Sequence, residues 1–211
     1  MQEVNTSELK KVGNQYYNIL PRLKELGSAK ILDVGAGEGI KKYLSKDFTY
    51  KTLDFGEKYD YNFNIDKGKL PIKDKEFDVV LCMETLEHVM YPKRVLKEIK
   101  RVVKDNGTVF ISMPNEFNFV QRIYYLIGKK TLVDEPFEVV EKHLHIHKPR
   151  VKDIVNVVGQ EFKIKRVWYI WQSRASMTKR WAYFIDRGIN LLAQIYPSMF
   201  ARIVLVEAEK I

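Results

Sequence analysis

Cysteine is nearly absent: Cys82 is the only one in 211 residues. That excludes a disulfide framework and suits a reducing compartment. Long apolar runs are missing too, and no stretch is long enough to span a bilayer. Residues 1–11 are polar and lack the apolar centre of a signal peptide. There are no internal repeats and no low-complexity segments. Nor is there a block of one charge. The net charge of +9 is spread along the chain. It favours anionic partners, such as a membrane surface, nucleic acid or an acidic substrate, without marking a site. These absences lead to the expectation of a cytoplasmic protein, with peripheral membrane contact left open.

What is present is ordinary globular composition. Hydrophobic residues make up 45% and charged residues 30%. That is enough for one core in a single domain over residues 1–211.

The chain is organised around Lys30-Ile31-Leu32-Asp33-Val34-Gly35-Ala36-Gly37-Glu38-Gly39. An apolar run carrying one carboxylate breaks into glycines at alternate positions. Residues 40–44 then suit a helix. The reading is strand, tight turn, helix. Glycine serves where backbone must approach a ligand or take a positive φ. In an open parallel sheet, the turn after the first strand is where an adenosine-type cofactor lies. The dinucleotide pattern G-x-G-x-x-G is not met, and Asp33 would repel a pyrophosphate. An acid there suits a ligand bearing an amino group.

Asp33, Gly35, Gly37 and Gly39 match D-x-G-x-G-x-G. The stretch resembles motif I of the class I S-adenosylmethionine-dependent methyltransferases, and Ala36 lies inside it. Three later stretches resemble the same family in the same order, within its ubiquinone/menaquinone-biosynthesis-like, methyltransferase type 11 branch. Asp54 ends a second strand over 50–54, where the family has a ribose-binding acid, and Phe55 follows it. Residues 64–80 look like the family's "D-A-x-x-L-P-F-x-D-x-x-F-D-x-V", with Asp66 on the acid that meets the adenine amino group. Met83-Glu84-Thr85-Leu86-Glu87-His88-Val89 resembles "x-x-L-E-H-V", and Met83 and Glu84 fall on contacts to the methionine half of the cofactor.

The resemblance implies an α/β fold: a Rossmann-like, doubly wound, seven-stranded sheet with the last strand antiparallel and helical lid insertions after strands five and six. It divides the chain into an N-terminal helix within 1–29, a cofactor-binding half over 30–115, a lid or substrate insertion over 116–148, and a C-terminal part over 149–211. The cofactor implied is S-adenosyl-L-methionine. The activity implied is methyl transfer to a small-molecule, lipid-like or glycan acceptor, with O- or C-methylation favoured over N-methylation. The alternatives are an RNA methyltransferase and a non-catalytic cofactor-binding module. Against nucleic acid, the chain lacks an Asn/Asp-Pro-Pro-Tyr-type motif and a polybasic arm.

Further readings come from the residues themselves. A helix is expected over 7–26. The connection after Asp54 is too short and polar for the usual helix, so a loop is expected. Residues 78–82 read as a strand buried on both faces. Residues 93–104 read as an amphipathic helix stopped by Asn106-Gly107, before a fifth strand over 108–113. Residues 117–127 are aromatic-rich and helical. His143-Leu144-His145-Ile146-His147 places histidines on one face if extended. Alternate histidines can bind zinc, but no carboxylate or cysteine is placed obviously to complete a site, so metal is the minority reading and no metal ligand is assigned. His143, which matches the family's histidine, His145 and His88 are the candidate general bases. Strands six and seven are expected over 162–169 and 203–208. Between them, residues 179–200 form a basic amphipathic helix with Trp181, Phe184, Ile185, Leu192, Ile195 and Met199 on its stripe. Such a stripe is compatible with a membrane interface, with the core or with a homodimer contact.

Overall fold

A computed structural model describes residues 14–129, 145–173 and 180–210. The apolar runs become strands because glycines, prolines and charged clusters bound them. They are β1 (Lys30–Val34), β2 (Thr49–Asp54), β3 (Tyr61–Asn62), β4 (Phe77–Met83), β5 (Val103–Pro114), β6 (Lys163–Ile170) and β7 (Ile203–Glu209). They form one seven-stranded sheet in the order β3-β2-β1-β4-β5-β7-β6. The first five are parallel, and β7 runs antiparallel to both β5 and β6.

Alternating side chains of the central strands feed two cores. On one face Leu32, Val34, Val80, Cys82, Val109 and Ile111 meet helices α2 (Pro92–Val102) and α4 (Val151–Gly159). On the other, Ile31, Val79, Leu81 and Phe110 meet Ile19, Leu20 and Leu23 of helix α1 (Asn14–Leu26). Helix α3 (Phe119–Leu126) follows β5, while α5 (Arg180–Ile195) and the short α6 (Pro197–Phe200) fill the connection from β6 to β7. This is the doubly wound sheet expected, with the antiparallel last strand and helical insertions after strands five and six.

Several local expectations are corrected. After Gly39 the chain makes only a 3-10 turn, Lys41–Tyr43. The Ile40 amide is bonded sideways to the Tyr50 hydroxyl, 3.1 Å away, and Leu44 is already extended, so no α-helix propagates. Asn106-Gly107 does not stop α2. The helix ends at Val102, and Val103 turns extended to pair with Phe77. Asn106 instead takes φ 59° at an irregularity inside β5. The described part of the histidine segment, 145–147, is not a strand. The expected 179–200 helix breaks at Tyr196-Pro197. The loop between β2 and β3 is as expected.

The stripe of α5 points outward. Ala182, Asp186 and Ala193 are its buried residues, while Phe184, Ile185, Leu192 and Ile195 are exposed. The inner face is held by polar bonds. The Trp171 indole donates to Asp186 Oδ1 at 3.0 Å, and the Asn190 amide exchanges bonds with the Trp171 backbone at 2.8 and 2.7 Å. The apolar stripe is therefore not sheet core.

Candidate functional site

The glycine turn leaves the carboxyl end of β1. A Cβ on Gly35 would lie 2.3 Å from Thr85 Oγ1, so only glycine lets the β1 and β4 ends close. Gly37 meets nothing within 4 Å, yet its φ is 52°, so its need is conformational and the space outside it is open. The Gly35 amide bonds Leu53 O at 2.8 Å, and the Ala36 amide reaches the same oxygen at 3.4 Å. The Gly37 amide donates to Asp54 Oδ2 at 3.1 Å, while Asp54 Oδ1 accepts from Phe55 N at 2.7 Å. Asp54 thus ties the turn to β2. Its remaining lone pairs can still accept from a diol. Phe55 beside it is 76% exposed, an uncovered aromatic face.

Asp33 is fully buried. The Tyr50 hydroxyl donates to its Oδ2, and its Oδ1 has no partner among the described residues. Burial pushes its carboxyl up to about 7, with the Tyr50 bond opposing and the Asp54 charge adding. Asp66 lies in a 3-10 turn, Ile65–Lys67, and its Oδ1 accepts from Met90 N at 2.9 Å. It sits in the connection from β3 to β4, not on a strand.

At the end of β4, Met83 is buried and Glu84 adopts φ 50°. A non-glycine residue there is costly and marks a bend that its surroundings enforce. The enforcing bonds are Glu84 N to Ser112 O at 3.0 Å and Thr85 Oγ1 to Val34 O at 3.2 Å. Glu84 Oε1 is buried without a partner among the described residues, and burial raises the carboxyl.

Beyond the bend lies a group of acids and imidazoles. Glu87 is 0% exposed, and neither carboxylate oxygen has a partner among the described residues. Burial, reinforced by Glu84 and Glu116, pushes it up to about 8. His145 Nδ1 lies 2.5 Å from Glu116 Oε1, and the His88 and His145 rings meet edge to face at 4.8 Å. Ile146 N and His147 N donate to the Glu87 carbonyl, at 2.8 and 3.1 Å, which pins the histidine segment to the turn that follows β4. His147 Nε2 donates to Val89 O at 2.9 Å, a fixing role. One ligand atom each from Glu87, His88 and His145 lies within 4.8 Å of the others. The absence of a nearby carboxylate, the reason for assigning no metal site, therefore does not hold in three dimensions. His143 lies outside the described residues.

The sheet thus brings Asp33, Gly35, Ala36, Gly37, Gly39, Asp54, Phe55, Met83 and Glu84 to one edge, at the carboxyl ends of β1, β2 and β4. Asp66 lies beside it, and His88 and His145 lie beyond the β4 bend. Tyr50, Thr85, Glu87 and Glu116 were not singled out from sequence. Glu116 had a weak signal, as an acid just past the fifth strand. Tyr50, the second residue of β2, had none.

Orphaned buried oxygens on Asp33 and Glu84, open space outside Gly37 and an acid beside the turn fit a ligand with an ammonium group and a ribose.

Known proteins resemble this chain in sequence and in fold. Residues 27–111 match a family model described as a methyltransferase domain. An uncharacterized protein of Methanocaldococcus jannaschii is 34% identical over 119 residues, covering 52% of this chain and 52% of that protein. A ubiquinone biosynthesis O-methyltransferase of Photobacterium profundum is 30% identical over 150 residues, covering 62% of each. The chain therefore spans between half and two thirds of these relatives' length. Among solved structures, an S-adenosylmethionine-dependent methyltransferase of Mesorhizobium loti superposes with a TM-score of 0.62 at 19% identity, over 93% of this chain and 98% of that one.

Proposed function

We propose, from the premise that this chain is a class I methyltransferase-domain protein, that it binds S-adenosyl-L-methionine at the glycine turn and methylates a hydroxyl on a lipid-like or other small acceptor. Bound there, the cofactor supplies an electrophilic methyl group. Asp54 would hold the ribose diol, Asp66 the adenine amino group, and Asp33 and Glu84 the ammonium end. Phe55 would cover the base.

The observation that carries the acceptor side is the 2.5 Å pair of Glu116 and His145 at the carboxyl edge of the sheet. With Nδ1–H given to Glu116, the imidazole keeps its lone pair at Nε2. That atom can take the acceptor's proton as the oxygen becomes a nucleophile. Glu116, buried and paired, orients the ring and stabilises the charge the ring gains. Helix α3 and the described part of the histidine segment would close the edge against water. The O-methyltransferase name of the Photobacterium relative supports a hydroxyl acceptor.

The same reading extends to the acceptor's setting. Leu126 is 85% and Ile195 81% exposed, and Ile127, Phe184 and Leu191 share this outward apolar character. Arg122, Lys129 and Arg187 are exposed on the same elements or just beyond them. Apolar contact with lysines and arginines alongside fits an anionic lipid surface. Among the described residues no helix is long and apolar enough to cross a membrane, so the contact would be peripheral. Docking of a second copy is the rival occupant.

The test is a labelled-methyl transfer assay against quinone precursors, phenols, lipids and glycans, with His145→Gln alongside the wild type. His145→Gln should bind S-adenosylhomocysteine normally and turn over at least 100-fold more slowly, the scale of a lost general base. Undiminished turnover would remove His145 from the chemistry.

A further inference from the structure

The Tyr50 hydroxyl makes two bonds that span the glycine turn. It donates to Asp33 Oδ2 and accepts from the Ile40 amide at 3.1 Å. The first partner lies on β1 before the turn, the second just after Gly39. Tyr50 itself is buried on β2, opposite Ile31. One phenol therefore joins the entry and exit of the turn to the neighbouring strand. A Cβ built on Gly39 would come within 2.7 Å of that hydroxyl oxygen. The bridge thus also occupies the space beside the last glycine.

The bridge decides what Asp33 can offer. One carboxylate oxygen is committed to Tyr50, and Oδ1 is buried without a partner among the described residues. A buried oxygen of this kind is costly unless a donor meets it.

We propose that Tyr50 is a positioning residue for the cofactor site: its hydroxyl ties the acid of β1 to the end of the glycine turn and leaves Asp33 Oδ1 as the oxygen that meets the cofactor's ammonium. This rests on the reading of the turn as the cofactor site. The groups that face Asp33 electrostatically are Tyr50 and Asp54 from β2, Tyr16 from α1 and Cys82 from β4. Burial holds the Tyr16 and Tyr50 hydroxyls and the Cys82 thiol well above their usual ranges. Between pH 6 and 9 these three stay neutral, so none of them competes with Asp33 for a change of charge there.

The test measures S-adenosylhomocysteine affinity by calorimetry from pH 6 to 9, in wild type and Tyr50→Phe, with thermal melts at each pH. The ligand's own titration is common to both proteins and drops out of the comparison. Wild-type affinity should rise through about pH 7 as Asp33 ionises. Removing the hydroxyl removes the bond that favours the carboxylate. The midpoint should move to higher pH, with binding about tenfold weaker at pH 7 and converging on wild type by pH 9. Gly39→Ala, whose Cβ must displace the same hydroxyl, should move the midpoint the same way and carries the test if Tyr50→Phe does not fold. Weakening by one constant factor at every pH, or an unmoved midpoint, would overturn the proposal and leave Tyr50 a packing residue. A wild type that binds no product at any pH would instead take down the cofactor-site reading, and this inference with it.

Discussion

Glu87 offers a sharp test of the electrostatics beyond the β4 bend. Its carboxyl is fully buried, lacks partners among the described residues and is pushed up to about 8 from an ordinary value of 4.5. In the folded protein it holds a proton that the unfolded chain gives up. The stability this represents is present in full below pH 4.5, falls as pH rises, and is lost above about 8. The slope is about 1.4 kcal/mol per pH unit, and the whole interval is worth about 5 kcal/mol. Asp33 acts with the same sign between 3.8 and about 7. From pH 5 to 7 the two groups together should cost the wild type about 5 kcal/mol, and Asp33 alone about half of that. Glu87→Gln keeps the size and neutrality of the protonated acid but cannot ionise. At pH 5 the two proteins should melt close together. By pH 7 the variant should melt higher by about 5–10 °C, at 2–4 °C per kcal/mol for a chain of this size. Urea midpoints and thermal scans from pH 5 to 8 check this, with chelator present so that only protons compete for the carboxylate. Parallel curves for the two proteins would show that Glu87 is ionised in the fold, and the account of its burial would fail.

Asp54→Ala should weaken S-adenosylhomocysteine binding by about 2 kcal/mol, roughly thirtyfold. An unchanged dissociation constant in calorimetry would remove Asp54 from the site. Gly35→Ala should lower the urea-unfolding free energy by roughly 2–4 kcal/mol, because its Cβ meets Thr85 and its φ of 69° strains any side chain. A loss under about 0.5 kcal/mol would contradict the close approach of β1 and β4. Wild type should float with phosphatidylglycerol vesicles at low salt, and Leu191→Glu with Ile195→Glu should stay behind. Wild type left in the soluble fraction, with a dimer in light scattering, would give the α5 face to a second copy.

The strands were legible because their signal is local. Ile31 to Val34 and residues 78–82 are apolar runs bounded by glycine or charge, and a buried parallel strand reads that way. The cofactor edge was legible for a related reason. In a parallel sheet the strand ends converge, so acids placed one strand apart in sequence, at Asp33 and Asp54, must meet. The stop of α2 was misplaced because Asn106-Gly107 has the chemistry of a helix cap, while pairing of Val103 with Phe77 pulls the chain into the sheet four residues earlier. The pair of Glu116 and His145 was out of reach. It joins residues 29 apart that belong to no shared periodicity. The bearing of α5 was hidden for a different reason. An apolar stripe looks like core until Asp186 and Asn190 are seen anchoring the opposite face to Trp171.

The position of β7 has a consequence for how the chain is made. In sequence it is the last described strand, yet in the sheet it lies between β5 and β6, and β6 pairs with no other strand among the described residues. During synthesis, β5 emerges with an open edge and β6 follows with nothing to bond. Both must wait until residues 203–209 leave the ribosome. For that interval the growing chain carries an unpaired, Val- and Ile-rich edge, the kind of surface that recruits chaperones or neighbouring strands. A ribosome-arrested chain ending before Ile203 should be protease-sensitive throughout β6, and one extended well past Glu209 should become resistant there in a single step.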